Sequence, residues 1–399
     1  MGKISYETHF KSTRKDGRHT LSLASFDEAL RAQTPKLQLP DDLTEESYRI
    51  WRKKVQEKYQ ELLRMPEIKR QEAPVKLSSQ KRDGYTVERW EFYPDEYTVS
   101  PFLVLIPDGV SKQNKAPGVI CMPGSVFSKE FLAGEETLEP YNCRFDKYPE
   151  RNKMALYIVK NGMVAFVFDH LATAELGIPT TDPNVDRLNY YSRAQMVSGY
   201  LKAGLNYVGM STYRILSFMQ YLDAFDYVDQ DRLGVCSHSL GTQVAWSIGV
   251  LCDQIKAIVF NDVLMDDKVR FISNTEMEEG NMDLDVGNWH IIPGLWEYFT
   301  VPDLCSAFAP KFVAFNEGGA DEWHEKVRRA YAVLGAEDRL QVTHYPKYQD
   351  ETTRKYHGKV PRYGLSSAEY YDWNYCDAPD HSFRAEPSLK LLKKAFHLS

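Results

Sequence analysis

The chain has 399 residues, of which 43% are hydrophobic and 26% charged, with a formal net charge of -7. That balance excludes an intrinsically disordered chain and allows a sizeable buried core. Acidic and basic residues are interspersed, so no basic stripe is offered to a nucleic-acid backbone. Aromatic residues make up 13%, and the 25 tyrosines outnumber the 19 phenylalanines and 7 tryptophans.

Residues 1–40 are polar, gather prolines towards their end and show no sustained periodicity, which predicts an irregular arm. The start, MGKISYETHF, lacks the apolar centre of a signal peptide. The longest apolar stretch, Met154 to Phe168, is interrupted by Lys160, Asn161 and Gly162 and falls short of the roughly 20 residues of a membrane span. A cytoplasmic protein without membrane contact is expected, and a processed export signal would instead make it secreted or periplasmic. Six cysteines without a C-x-x-C pair read as reduced, buried thiols.

Thr44 is placed to cap a helix in which Tyr48, Trp51, Val55, Tyr59, Leu62 and Leu63 recur at helical spacing until Pro66. Strands are predicted at Tyr85 to Tyr93 and Phe102 to Ile106, as a hairpin, and at Val119 to Met122. Short apolar strands then alternate with helices: Val164 to Phe168, Leu233 to Cys236, Ala257 to Phe260, Phe312 to Phe315 and Leu340 to His344. This pattern predicts an α/β fold with a mostly parallel sheet covered by helices on both faces. Residues 1–80 form an arm and helical extension packed on the core, and residues 81–399 one catalytic domain.

Reactive groups in such a sheet are expected beyond the carboxyl ends of its strands. The run Ser237-His238-Ser239-Leu240-Gly241 lies between a predicted strand and a predicted helix and is a variant of the G-x-S-x-G nucleophile elbow. The small residues let strand and helix approach, and the Leu240 N–H would face the oxyanion formed when Ser239 attacks. A helix-capping serine is the plainer alternative. A serine nucleophile needs a base and an orienting acid. Asp321, after the strand Phe312 to Phe315, and His381, before the final amphipathic stretch, complete the order Ser, Asp, His. Asp169, Asp262 and Glu317 are rival acids, and His344 and His357 rival bases. The loop Pro123-Gly124-Ser125-Val126 follows a strand, and the Ser125 N–H is the expected second oxyanion donor. His238 is expected to pack under the elbow. No metal or organic cofactor is expected, because no dense ligand cluster suggests one.

Together with Asn288-Trp-His-Ile-Ile-Pro-Gly-Leu-Trp296, Val301-Pro-Asp-Leu304 and the Trp51 to Leu63 helix, these residues resemble the acetyl xylan esterase-like branch of the α/β-hydrolases, related to dienelactone hydrolases. The likeness covers roughly residues 45–395. It implies an α/β-hydrolase fold and a serine carboxylesterase that removes acetyl or similar acyl groups from carbohydrates, with Ser239, Asp321 and His381 at the nucleophile, acid and base positions. It also marks His290 as a substrate-binding candidate. The chain departs from the pattern at Pro123, where a histidine is usual, at Ser237, where a glycine is usual, and in a longer acid loop containing Gly318-Gly319.

A larger departure is the insertion of about 347–379 before His381, containing Tyr348, Tyr356, Tyr363, Tyr370, Tyr371, Trp373 and Tyr375. Structureless loops of this length are uncommon in compact domains and are often lids or binding loops. Aromatic faces suit a sugar ring, so Tyr371, Trp373 and Tyr375 are substrate-binding candidates; packing on the protein or on another subunit is the alternative. The expected partner is a small-molecule or oligosaccharide ester, with a homo-oligomer open. A hydrolase of peptides, thioesters or carbon-carbon bonds, or a catalytically silent carbohydrate-binding homologue, remains as the alternative function.

Overall fold

The computed structural model describes positions 13, 16 and 18 and residues 22–135, 150–177, 190–273, 288–354 and 365–398. Among the described residues nine strands form one sheet: β1 Val75–Arg82, β2 Tyr85–Phe92, β3 Ser100–Pro107, β4 Ala116–Met122, β5 Val164–Phe168, β6 Val228–His238, β7 Ile255–Asn261, β8 Phe312–Phe315 and β9 Leu340–Val342. Their order is β1-β2-β3-β5-β4-β6-β7-β8-β9. The pairs from β1 to β5 are antiparallel, and those from β5 through β9 are parallel. The main helices are α1 Ser22–Ala32, α2 Glu45–Leu63, α3 Met154–Lys160, α4 Tyr190–Lys202, α5 Tyr207–Met219, α6 Thr242–Leu251, α7 Asp267–Ser273, α8 Val301–Ser306, α9 Asp321–Ala332, α10 Ser367–Trp373 and α11 Ala385–Phe396.

Successive strand residues point to opposite faces, so the central strands, buried on both sides, feed two cores. One face joins Val104, Phe166, Val235, Ile258 and Val313 to α2, α5, α6, α8 and α9. The other joins Leu105, Val119, Val167, Val259 and Ala314 to α3 and α11. Phe102, Phe168, Phe218 and Phe225 contact one another with ring centroids 4.9–6.2 Å apart. Part of the aromatic excess is therefore plain core.

Helix α2 begins with a capping box between Thr44 and Ser47 and buries Tyr48, Trp51, Val55, Tyr59 and Leu63 along one face. Its last turn abuts α5 through Asn206. The Asn206 Oδ1 accepts from the Gly209 N–H at 2.7 Å, and its Nδ2 donates to the carbonyls of Leu62 and Leu63 at 3.0 and 3.1 Å. One side chain thus satisfies the start of one helix and the end of another. Gly209 leaves the room for this, since a Cβ there would lie 1.8 Å from the Leu63 carbonyl oxygen.

Three expectations about the chain's organisation change. The arm within residues 1–40 contains α1, which lacked a recognisable start signal. β1 went unpredicted because it is almost wholly exposed and carries no apolar alternation; it pairs with β2, so a boundary at residue 80 would cut a strand. The segment 347–379 is no structureless loop, since it holds α10 and short helical turns at Pro346–Tyr348, Glu351–Thr353 and Ala378–Asp380. Tyr356, His357 and Tyr363 lie outside the described residues, as does Cys143. Among the described residues five cysteines are free thiols, and no helix is long and apolar enough to cross a membrane.

Candidate active site

β6 runs straight into the elbow. Ser239 has φ 51°, in the left-handed region that a non-glycine residue occupies at a cost of about 1–3 kcal/mol. That turn carries its side chain out of the strand at the start of α6, with Leu240 buried immediately behind. The Thr242 Oγ1 donates to the Ser239 carbonyl at 2.6 Å and holds the turn closed. Gly241 is required here, because a Cβ would lie 2.5 Å from the Met122 carbonyl oxygen and 2.8 Å from that of Pro123. Ser237 substitutes for the usual glycine without penalty, since its hydroxyl donates to the Val259 carbonyl at 2.7 Å.

The carboxylate on His381 is Glu317. His381 Nδ1 donates to Glu317 Oε2 at 2.5 Å, and the Ser382 N–H donates to Glu317 Oε1 at 2.9 Å. The expectation for Asp321 is therefore corrected. Its carboxylate accepts from Arg354 Nε at 3.1 Å and lies 3.9 Å from His344. The cause is the glycine pair between the two acids. Gly318 and Gly319 take φ of +77° and +126°, and a Cβ on either would lie 2.5 Å from a backbone oxygen, that of Tyr375 or of Leu264. The chain turns sharply there, leaving Glu317 at the end of β8 and starting α9 with Asp321.

Asn261, at the end of β7, ties the site together. Its Nδ2 donates to Glu317 Oε1 and to the Ser382 carbonyl, both at 3.0 Å, and its Oδ1 accepts from the Arg384 N–H at 2.8 Å. With both amide hydrogens used, His238 Nδ1 is left to donate to the Asn261 carbonyl at 3.2 Å. His238 is buried, as expected, and its ring centroid lies 4.6 Å from that of His381. Burial, with the neighbouring His381 charge adding to it, keeps His238 well below the usual histidine range. His381 behaves oppositely: burial disfavours its charge, but Glu317, with help from Asp262, outweighs this and raises it to about 9. Burial lifts Asp262 to about 6, with Glu317 adding and His381 opposing.

The 123–126 loop is clamped by two buried side chains. His170 Nε2 donates to the Pro123 carbonyl at 2.6 Å, and Arg193 Nη2 to the Ser125 carbonyl at 2.7 Å. Burial, with Arg193 and Arg214 nearby, pushes His170 down to about 3, so it is neutral. His238, Glu317 and His381 have donor atoms close enough for a metal ion, but the hydrogen bonds above already link them to one another or to Asn261.

Beside the elbow lies a cavity of about 690 Å³ whose lining includes Ser239, Asp262 and His290. His290 Nδ1 is hydrogen-bonded to Gln243 Nε2. Of the other substrate-binding candidates, Trp373 and Tyr375 are buried in the protein, and Tyr371 lies behind the cavity wall, with the Arg270 guanidinium 5.8 Å over its ring. Trp373 packs with Tyr370 and Trp323, and Tyr375 with Tyr345 and Tyr348. Tyr371 is only partly buried, packed against the Tyr345, Tyr348 and Tyr375 cluster and edge to face with Tyr370. Sequence reasoning missed Asn261, His170 and Arg193 altogether. Their one visible signal was position, Asn261 and His170 lying at strand ends.

A family model described as the Abhydrolase family matches residues 4–394. A crystal structure from Bacteroides fragilis NCTC 9343, described as a "putative acetyl xylan esterase", is 32% identical with a TM-score of 0.88, covering 98% of this chain and 100% of that one. A glucuronoyl esterase from Solibacter usitatus shares the fold at 11% identity, with a TM-score of 0.55 over 91% of this chain and 98% of that one. "Putative hydrolase YtaP" of Bacillus subtilis (strain 168) is 27% identical over 143 residues, 34% of this chain. That match spans 46% of its length, less than half of the relative. The α/β-hydrolase fold and the esterase-like resemblance are borne out.

Proposed function

This chain belongs to the Abhydrolase family of hydrolases, and from that premise we propose that it is a serine carboxylesterase working through Ser239, His381 and Glu317. Neutral His381 takes the Ser239 proton as Oγ attacks the ester carbonyl, and the N–H groups of Leu240 and Ser125 hold the resulting oxyanion. The imidazolium then gives its proton to the departing alcohol, leaving an acyl-enzyme. Water attacks that acyl group while His381 accepts its proton, and collapse frees the carboxylic acid and Ser239. Glu317 fixes the Nδ1–H tautomer and stabilises the imidazolium.

The observation that carries this reading is the 2.5 Å contact of Glu317 with Nδ1 of His381, whose ring centroid lies 4.6 Å from that of His238, the residue before a serine held at φ 51°. The description of the Bacteroides fragilis protein supports an acyl ester on a carbohydrate, with acetyl as the acyl group to test first. Replacing Ser239 by Ala should lower p-nitrophenyl acetate turnover at least about 10³-fold. Undiminished turnover in a folded variant would refute the assignment.

A further inference from the structure

We infer that the site accepts an ester carrying a bulky apolar group, an aromatic ring or a medium-length alkyl chain, held in the cavity beside Ser239. The inference rests on the esterase reading and adds a substrate class to it. An acetyl group would leave most of a cavity of about 690 Å³ empty, a volume typical of sites that enclose far larger ligands.

The walls are aromatic. Trp246 and Phe260 stand nearly parallel, with ring centroids 6.4 Å apart, and Phe271 packs on Trp296 at 5.4 Å. Phe26 of α1 closes over Phe271, edge to face, at 6.1 Å. Several polar groups of the lining are already engaged. Gln243 is bonded to His290, Asp267 accepts from Trp296 Nε1 at 2.8 Å, and Asp262 accepts from the Val263 N–H at 2.8 Å. Burial, with Arg270 and Arg193 nearby, pushes His290 down to about 3, so it adds no charge. A sugar ring would find faces to stack on, but a lining in which Gln33, Arg270 and Glu297 are set among mostly apolar side chains offers its hydroxyls less than the water they would leave. An apolar group would instead gain from leaving water, about fourfold in kcat/KM for each methylene buried. A carbohydrate can still form the other half of the ester, outside the cavity.

The test separates the two sides of the ester. One arm uses ethyl esters of acetic, butyric, hexanoic and benzoic acids; the other uses ethyl, butyl, hexyl and benzyl acetates; an acetylated xylo-oligosaccharide is the reference. Acid release should rise at least tenfold in kcat/KM from the smallest to the six-carbon member of one arm, and that arm identifies the group held in the cavity. In Phe271→Ala and Phe26→Ala, the ratio of six-carbon to two-carbon turnover should fall at least threefold. The ratio is read within each preparation, so partial unfolding does not imitate the effect. Flat or falling series on both arms, with turnover still dependent on Ser239, would overturn this inference and leave the esterase reading standing. Unchanged ratios in both variants would overturn the placement in this cavity. No hydrolysis of any ester, with no labelling of Ser239 by a fluorophosphonate, would overturn both.

Discussion

Glu317 and Asp321 are both carboxylates just behind β8, and only the first touches His381. Exchanging Glu317 for Gln should therefore cut kcat on p-nitrophenyl acetate by about 10³–10⁴-fold. The same change at Asp321, to Asn, should leave kcat within about threefold, because Asp321 pairs with Arg354 and not with His381. Burial works against a charged His381, yet Glu317 raises it to about 9. A general base must be neutral, so kcat/KM should climb with pH towards about 9. In Glu317→Gln the main opposing charge is removed while Asp262 remains, and the midpoint of the pH–rate profile should fall from about 9. The raised value also has a stability consequence. The imidazolium–carboxylate pair contributes fully below the unfolded value of about 6.5, and that contribution is lost as pH rises through about 9.

At the scale of elements, α2 was legible from its apolar spacing and its capping threonine, but what it packs against was not. Asn206 decides that by bonding the end of α2 and the start of α5 together. Its replacement by Ala should cost about 1–3 kcal/mol in urea unfolding, from the lost cap and the abandoned carbonyls. Gly209→Ala should cost a similar amount by forcing the two helices apart. Gly199 in α4 has open space around its Cβ position, so Gly199→Ala should stabilise by about 0.5–1 kcal/mol. The opposite signs expected for two helical glycines depend on neighbours that no local pattern contains. The elbow at Ser239 was legible for the opposite reason: strand, turn and helix are contiguous in sequence, and small residues mark where they meet.

For the whole molecule, the tyrosine-rich stretch before His381 changes meaning. It read as a possible wall of the substrate site, but Tyr348, Tyr370, Trp373 and Tyr375 are buried within the protein. Arg354, from the same stretch, holds Asp321, and the Asn374 carbonyl accepts from the Gly319 N–H at 3.0 Å, two residues past Glu317. Deleting residues 349–377 should therefore lower the thermal midpoint by more than about 5 °C and reduce turnover of acetate and hexanoate esters alike. A selective loss on the larger ester, with the midpoint unchanged, would return the stretch to the substrate site. The pocket wall comes instead from distant pieces, α1, α6, α7 and the Ile291 to Trp296 turn.

The sequence by itself determined the α/β class, the parallel strands and the turn at Ser239, and it singled out His381 as the proposed base, because each is marked by a continuous run of periodicity, turn residues or chain order. Tertiary structure alone decided which acid faces His381, where the aromatic stretch packs and what surrounds Ser239. Those depend on contacts between segments far apart in the chain: two left-handed glycines turn Asp321 away from the site, Asn261 bridges β7 to the histidine loop, and α1 reaches across to the cavity. A residue's type limits what it can bond, but only the fold determines which partner comes within reach.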